Sequence, residues 1–413
     1  MATPRVDRLP RDFWNYLGAV ALSNLGDGIR FGALPLLTAS ISRNPVAVAA
    51  VSGITMLPWF VFGAIGGAVV DRVDRQRLII WTQLARAAAV WTLVAAILTD
   101  RVGLPIVYLV AFAIGLGEVL VDTASQAAIP LLAPAGALEQ ANSRMVGAQL
   151  ATGEIIGLPV GALLFAWTSE APFLVDACTF LVGALLIALV RRPLQGERTA
   201  PRQPIVADVR AGFDFLWHQP YLRRSAVALG LSNFAITASG SLFVLLIVDV
   251  LDAPEIAFGV LGAAGAVGGL IGSVIGRRLI ATFGRSRAMV GGGVVGTLAQ
   301  AATGLAPNVA AACACFFIST LAVVVGNVVG QSLRQTVTPE HLLGRVVASY
   351  RMIGLGGMPL GALAGGLMAS ATGVRSVFAF TLVVGSVAMV LLARALRWLP
   401  AHVLEGEPLV VTP

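Results

Sequence analysis

Apolar residues run almost without interruption through twelve stretches of the chain, each separated from the next by a short polar segment. The first six lie near 13–41, 46–70, 78–99, 104–129, 138–168 and 172–190. Six more lie near 223–249, 254–276, 286–306, 308–333, 343–371 and 374–398. Each is long enough to cross about 30 Å of hydrocarbon as an α-helix, which predicts an all-α membrane protein. The stretches near 138–168 and 343–371 exceed the minimum, so each is expected to include an interfacial turn or a tilt. The pattern breaks at length only over 191–222. There a polar, Pro-containing run gives way to Val206, Val209, Phe213, Phe215 and Leu216, set among charges at helical spacing. This segment reads as a cytoplasmic linker carrying a short interfacial helix, a tether without a regulatory role. It joins a six-helix half at 1–190 to a second at 223–398, with a tail at 399–413.

Composition makes the bilayer the natural solvent: 57% of residues are hydrophobic and 12% charged, too little polar surface to coat a soluble globule. A net charge of +7 would suggest nucleic acid in a soluble protein. Here the basic residues, all Arg, sit in short segments between spans, so no nucleic-acid partner is expected. Arg5, Arg8, Arg11, Arg72, Arg75, Arg77, Arg191, Arg192, Arg277, Arg278, Arg285, Arg287, Arg334 and Arg345 all fall on one side, whereas Arg43, Arg101 and Arg375 fall on the other. The positive-inside rule then places both termini and the linker in the cytoplasm of a multi-pass inner-membrane protein. The first stretch follows a basic leader but is long and lacks a small-residue cleavage site, so it reads as a retained span. Cys178, Cys313 and Cys315 lie inside spans without metal-ligand spacing. They read as packing residues; no metal and no cofactor is expected.

The halves echo each other. Gly157-Leu-Pro159-Val-Gly161 in the fifth span recurs as Gly357-Met-Pro359-Leu-Gly361 in the eleventh. Matching segments at the fifth position of each half are what a parallel six-plus-six repeat predicts, with substrate held near the midplane between halves. Glycine every fourth residue, at Gly153, Gly157 and Gly161 and again at Gly357, Gly361 and Gly365, makes a smooth strip along which helices approach closely. The prolines make each strip an expected hinge for alternating access.

Between the second and third spans stands Gly67-Ala-Val-Val-Asp71-Arg72-Val-Asp74-Arg75-Gln76-Arg77. It resembles the cytoplasmic loop signature of the major facilitator superfamily, with Asp74 where glycine is usual and Gln76 at a position often basic. A carboxylate at a helix end among guanidinium groups can bridge to a neighbouring helix and release it, so Gly67, Asp71, Arg72, Arg75 and Arg77 are expected to form a cytoplasmic gate. The matching loop from Gly276 to Arg287 keeps Arg285 and Arg287 but no acid. Asn24-Leu-Gly-Asp27, Glu118-Val-Leu-Val-Asp122, Ile129-Pro130, Leu138-Glu-Gln-Ala-Asn142 and Gly212-Phe-Asp-Phe-Leu-Trp217 extend the likeness over almost the whole chain. They are similar to bacterial exporters of the enterobactin-exporter and macrolide-efflux type. The resemblance implies a major facilitator fold and proton-motive efflux of small amphipathic molecules. The chain departs from the superfamily's drug antiporters in having acids where the fourth span often carries an Arg, and in the spacing Gly157-Leu158-Pro159. The usual proton-relay assignment is therefore not carried over.

Charges inside the spans point to function independently, because an ionised carboxylate in hydrocarbon must face protein or water. Asp27 and Arg30, three apart, share a helix face and can pair. Glu118 and Asp122 are one turn apart; two such carboxylates repel, and a proton taken up by one relieves the pair. Glu154 is a further candidate for the coupling or substrate cavity. Asp176, near the outer end of its span, reads as structural, and Arg86 as a counterion whose partner the sequence does not name. The expected function is a proton-coupled exporter of a drug, siderophore or secondary metabolite, working in the bilayer as a monomer. Uptake of a small solute is the alternative. An intramembrane enzyme or sensor is remote, since there is no HExxH and no nucleophile elbow, and His218, His341 and His402 all fall in cytoplasmic segments.

Overall fold

The computed structural model describes residues 9–70, 72–134, 137–195, 205–400 and 403–404. Among them every regular element is helical. Long helices run α1 (Arg11–Ile41), α2 (Pro45–Val70), α3 (Arg75–Leu98) and α4 (Leu104–Leu132). The fifth span is one continuous helical run in three parts: α5 (Leu138–Gln149), a π-helical stretch (Leu150–Gly157) and α6 (Leu158–Trp167). After α7 (Ala171–Ala188) comes the linker helix α8 (Ile205–His218). The second set is α9 (Pro220–Gly240), continued by α10 (Phe243–Leu245) and a π turn (Leu246–Val250), then α11 (Ile256–Phe283), α12 (Arg285–Leu305), α13 (Val309–Val337), α14 (Glu340–Thr372) and α15 (Val374–Leu396).

Eleven of the described spans are long and apolar enough to cross a membrane. The twelfth expected from the sequence is α1. Its 31 residues suffice in length, but Asn15, Asn24, Asp27 and Arg30 lower its hydropathy. The residues that disqualify it by composition are largely those that build the candidate site. Large apolar side chains stand outward, with Trp167 77%, Val274 70% and Leu109 68% exposed. Such a surface is stable only against lipid.

The chain forms two compact units, Met1–Ile41 with Val61–Arg202 and Ser42–Phe60 with Gln203–Pro413. In the first, α1 lies along α7 and the α5–α6 segment, while α3 lies between α4 and α7. In the second, α9 lies along α14 and α15, while α12 lies between α13 and α15. The same pairing of first with fifth and sixth helices, and of third with fourth and sixth, therefore occurs twice. The first part of α2 belongs to the second unit: Gly366 of α14 faces Val46 and Ala49, and Arg43 pairs with Asp249 at 2.8 Å on the surface.

Two inter-helix joints are single glycines, Gly284 between α11 and α12 at φ +80° and Gly373 between α14 and α15 at φ +91°. Side-chain-bearing residues rarely adopt that left-handed region. The glycine strips do what their spacing predicts. A Cβ on Gly161 would lie 2.0 Å from the Ile29 carbonyl oxygen, and one on Gly361 2.2 Å from that of Phe234. Gly28 and Gly153, and Gly357 and Gly230, meet in the same way. Helix backbones touch directly at these places.

The two proline segments differ locally. Before Pro159 the ladder shifts to the wider pattern, Leu158 N–H donating to the Gly153 carbonyl five residues back, as happens where a proline ring displaces a carbonyl in the preceding turn. No interfacial turn interrupts the fifth span, which runs as one helical segment from Leu138 to Trp167. Pro359 lies inside an unbroken 33-residue α14, so of the two expected ways to take up the extra length of the eleventh span, a turn or a tilt, no turn is present. The linker helix α8 is docked against α14: a Cβ on Gly212 would meet the Arg345 carbonyl at 2.4 Å, and Leu216 is fully buried. The side chains of Val206 and Val209 lie outside the described residues.

A charged cluster in the first unit and an arginine-lined cavity in the second

Four helices of the first unit bring six ionisable side chains together. Arg30 on α1 is fully buried. One guanidinium nitrogen donates to Asp27 Oδ1 at 2.7 Å, the pair expected from the i, i+3 spacing. Its Nε faces Asp176 Oδ2 on α7 at 3.4 Å. Arg86 on α3, 2% exposed, donates to the same Asp27 oxygen from the other side and to Gln83 Oε1 at 3.3 Å. Its guanidinium rests on the Phe180 ring, 4.1 Å from the centroid. Gln83 in turn donates to Ser23 Oγ at 2.9 Å. Asp27 thus accepts from two cations, each held by a further contact.

Small residues make this possible. Gly26 leaves room for Asp176 and Thr179, and Gly117 for the Arg86 side-chain stem; a Cβ would lie 2.5 Å from Asp176 Oδ1 in the first case and 2.7 Å from Arg86 Cδ in the second. On α4, Glu118 has Asp27, Arg30, Asp122 and Arg86 as its electrostatic neighbours. Its Oε2 is buried and accepts no hydrogen bond. Asp122 lines a narrow cleft with Asp27, Asn24, Gln83, Arg86 and Ser125.

The sequence-derived candidates divide accordingly. Asp27, Arg30, Glu118 and Asp122 are brought together. Glu154 is not: it is exposed on the π stretch, and no ion pair joins it to the cluster among the described residues. Asp176, read as structural from its depth along the span, is fully buried within the cluster. Arg86 finds its partner in Asp27, a pairing 59 residues apart that no local spacing signals.

Of the loop motif, Gly67 lies in α2 and Asp71 lies outside the described residues. Arg72 and Arg77 are exposed. Asp74 caps α3, accepting from the Arg77 N–H at 2.8 Å, which explains an acid where glycine is usual. The Arg75 guanidinium donates to the Ala127 and Leu194 carbonyls at 3.3 and 3.4 Å. Gln76 donates to the Ile187 and Val190 carbonyls at the end of α7, both at 2.9 Å. An amide there satisfies two helix-terminal acceptors at once.

Among the described residues, the second unit repeats the scaffold without the buried carboxylates. Gln300 on α12 donates to Ser239 on α9 at 3.1 Å, as Gln83 on α3 does to Ser23 on α1. Around it opens a cavity of about 320 Å³, reached by Asn233, Thr297, Gln300, Asn327, Gln331, Arg334 and Arg351, with Met289, Met389 and Leu229 among its apolar lining. Sequence reasoning missed it. Arg334, assigned to a loop, lies in the last turn of α13 and lines the cavity. Arg351 sits inside the eleventh span.

Two units built on one helical plan, lipid-facing outside and charged within, define a membrane transporter of the major facilitator type. The chain belongs to the transmembrane secretion effector family (MFS_3), whose model matches residues 10–408. It is 27% identical over 380 residues to the multidrug efflux pump Tap of Mycolicibacterium fortuitum, covering 88% of this chain and 90% of that one. It is 28% identical over 403 residues to the enterobactin exporter of Citrobacter koseri, covering 95% and 94%. The structure resembles that of a bacterial homologue of the iron transporter ferroportin in its inward-facing state, with a TM-score of 0.74, 20% identity and coverage of 95% and 99%.

Proposed function

We propose that the protein exports small amphipathic molecules across a bacterial cytoplasmic membrane in exchange for protons, by alternating access between the halves 1–190 and 223–398, as a monomer with both termini inside. The observation that carries the reading is the imbalance of the inner cluster: three acids, Asp27, Glu118 and Asp176, stand against two cations, Arg30 and Arg86. Leaving a buried charge uncompensated costs several kcal/mol, so the cluster is stable when it holds a proton or a bound cation. Asp27 lies between two guanidinium groups. Glu118, with a buried oxygen that accepts no hydrogen bond, is the member that takes the proton. Asp27 then orients both arginines and serves as a positioning residue. The names of the relatives, an efflux pump and an exporter, support the outward direction. Arg72, Arg75 and Arg77 act at the cytoplasmic end, where Arg75 already braces the ends of α4 and α7.

The test is pH-driven extrusion of a fluorescent amphipathic dye from proteoliposomes of fixed orientation. Glu118→Gln is expected to bind the dye but no longer couple its movement to the pH gradient, while Asp27→Asn loses both coupling and rate. Normal transport by both variants across the pH range refutes the proton site. Dye accumulation in the opposite sense refutes export.

A further inference from the structure

We propose that the second-unit cavity is a binding site for the anionic head of an amphipathic solute, with Arg334 and Arg351 as its cationic contacts. Between residues 256 and 396 the sequence has nine Arg and one acid, Glu340. No carboxylate lines the cavity, and among the described residues neither Arg334 nor Arg351 is paired with one. A guanidinium beside a half-buried cavity without a counterion leaves strong donors unused.

Both cations are held by aromatic rings rather than by acids. Arg334 lies over the Tyr350 ring at 4.1 Å, and its Nε is buried with no hydrogen-bond partner. Tyr350 is itself fixed, its hydroxyl donating to the Ser225 carbonyl at 3.1 Å. Arg351 lies over Trp59 at 5.6 Å. An aromatic face orients a guanidinium without neutralising it, so Arg351 and the buried Nε of Arg334 can still donate to an incoming oxyanion.

The rest of the lining suits the body of such a ligand. Asn327 and Gln331 lie on the same face of α13 as Arg334, at spacings of seven and three, and add amide donors. Met289 and Met389 supply an apolar, adaptable wall. A volume of about 320 Å³ is at the lower end of the range for small-molecule sites, enough for a fused bicyclic ring with a short acidic arm. The inner cluster of the first unit holds an excess of acids and the cavity of the second holds only cations, so a proton and a solute anion have separate seats. The assignment specifies the substrate class of the export reading and rests on it for its consequence in transport.

The experiment uses three probes that share one body: 1-naphthylacetate, 2-(1-naphthyl)ethanol and 2-(1-naphthyl)ethylamine. Their binding to the full chain in phosphatidylcholine nanodiscs is measured by calorimetry, with empty nanodiscs subtracted. The acetate is expected to bind about tenfold more tightly than the alcohol, as one charge-assisted contact would give, and the amine most weakly. Arg334→Gln and Arg351→Gln should each abolish the preference, and Arg334→Lys should retain it. Arg351 is exposed, so its variant keeps the test open should Arg334→Gln fail to fold. Equal or tighter binding of the amine, an acetate preference that survives both Gln variants, or no binding of any probe overturns the assignment. So does loss of acetate binding in phosphatidylglycerol nanodiscs, which gives the cavity to a lipid head group instead. Transport of the same probes in proteoliposomes separates the two readings. Extrusion of the amine or alcohol alone leaves export standing and overturns the anion site. Arg-dependent acetate binding with no extrusion of any probe upholds the site and refutes export.

Discussion

The link between Asp27 and Arg86 offers the sharpest stability test, because Arg86 is buried, Asp27 is largely so, and each has a second contact that survives the loss of the first. In Arg86→Gln, Asp27 keeps Arg30 at 2.7 Å, but the Phe180 face is uncovered and the excess of acids grows by one. Breaking a buried pair from one side costs about 3–5 kcal/mol, and that is the expected loss. In Asp27→Asn, Arg30 retains Asp176 at 3.4 Å while Arg86 loses its only carboxylate partner among the described residues, with a loss of similar size. In the double variant no charge is stranded by the missing partner, so its loss should fall short of the sum by about 1–3 kcal/mol. The assay is unfolding in mixed dodecyl maltoside and dodecyl sulfate micelles, followed by circular dichroism, with all four proteins compared at one pH. Additivity to within about 0.5 kcal/mol, or a loss under about 1 kcal/mol for Arg86→Gln, would refute the view that this pair holds α3 to α1.

Two further outcomes follow from the helix contacts. Gly161→Ala places a methyl group 2.0 Å from the Ile29 carbonyl oxygen and should reduce both thermal stability and dye extrusion, whereas Gly147→Ala, with nothing within 4 Å, should match the parent protein; parity of the two in a melting assay removes the packing argument. Asp74→Ala removes the cap of α3 and should cost about 1 kcal/mol in the same micellar unfolding assay, with Asp74→Asn restoring most of it.

Much of this molecule is legible in its sequence where the determinant is local. Apolar run length marks the spans, and the spacing of Asp27 and Arg30 gives a pair that forms as expected. The four-residue glycine strips give helix contacts because each depends on one face of one helix. Legibility fails where partners come from distant helices. Arg86 has no readable counterion because Asp27 is 59 positions away. Asp176 misleads because depth along a span says nothing about which face is turned inward. The second-unit cavity leaves almost no trace: Asn233, Thr297, Gln300 and Asn327 each read as an ordinary polar residue in a membrane helix, and only their convergence from three helices gives them meaning. Arg351 carried a signal, a charge within a span, of the same kind that singled out Asp27 and Glu118.

The backbone contacts of α1 have a mechanical consequence. Gly28 lies against Gly153 and Gly157, and Ile29 against Gly161, with no side chains between whose rotamers could absorb a slide. Bearings of that kind transmit displacement rather than damp it. Any shift of the Leu150–Gly157 turn therefore drags α1 along, and with it Asp27 and Arg30, whose other ends are moored to Arg86 and Asp176. The first helix is in this sense a lever clamped at its middle, with its load being the two ion pairs across its other faces. A side chain as small as one methyl group in the clamp would act on the load about a helix diameter away.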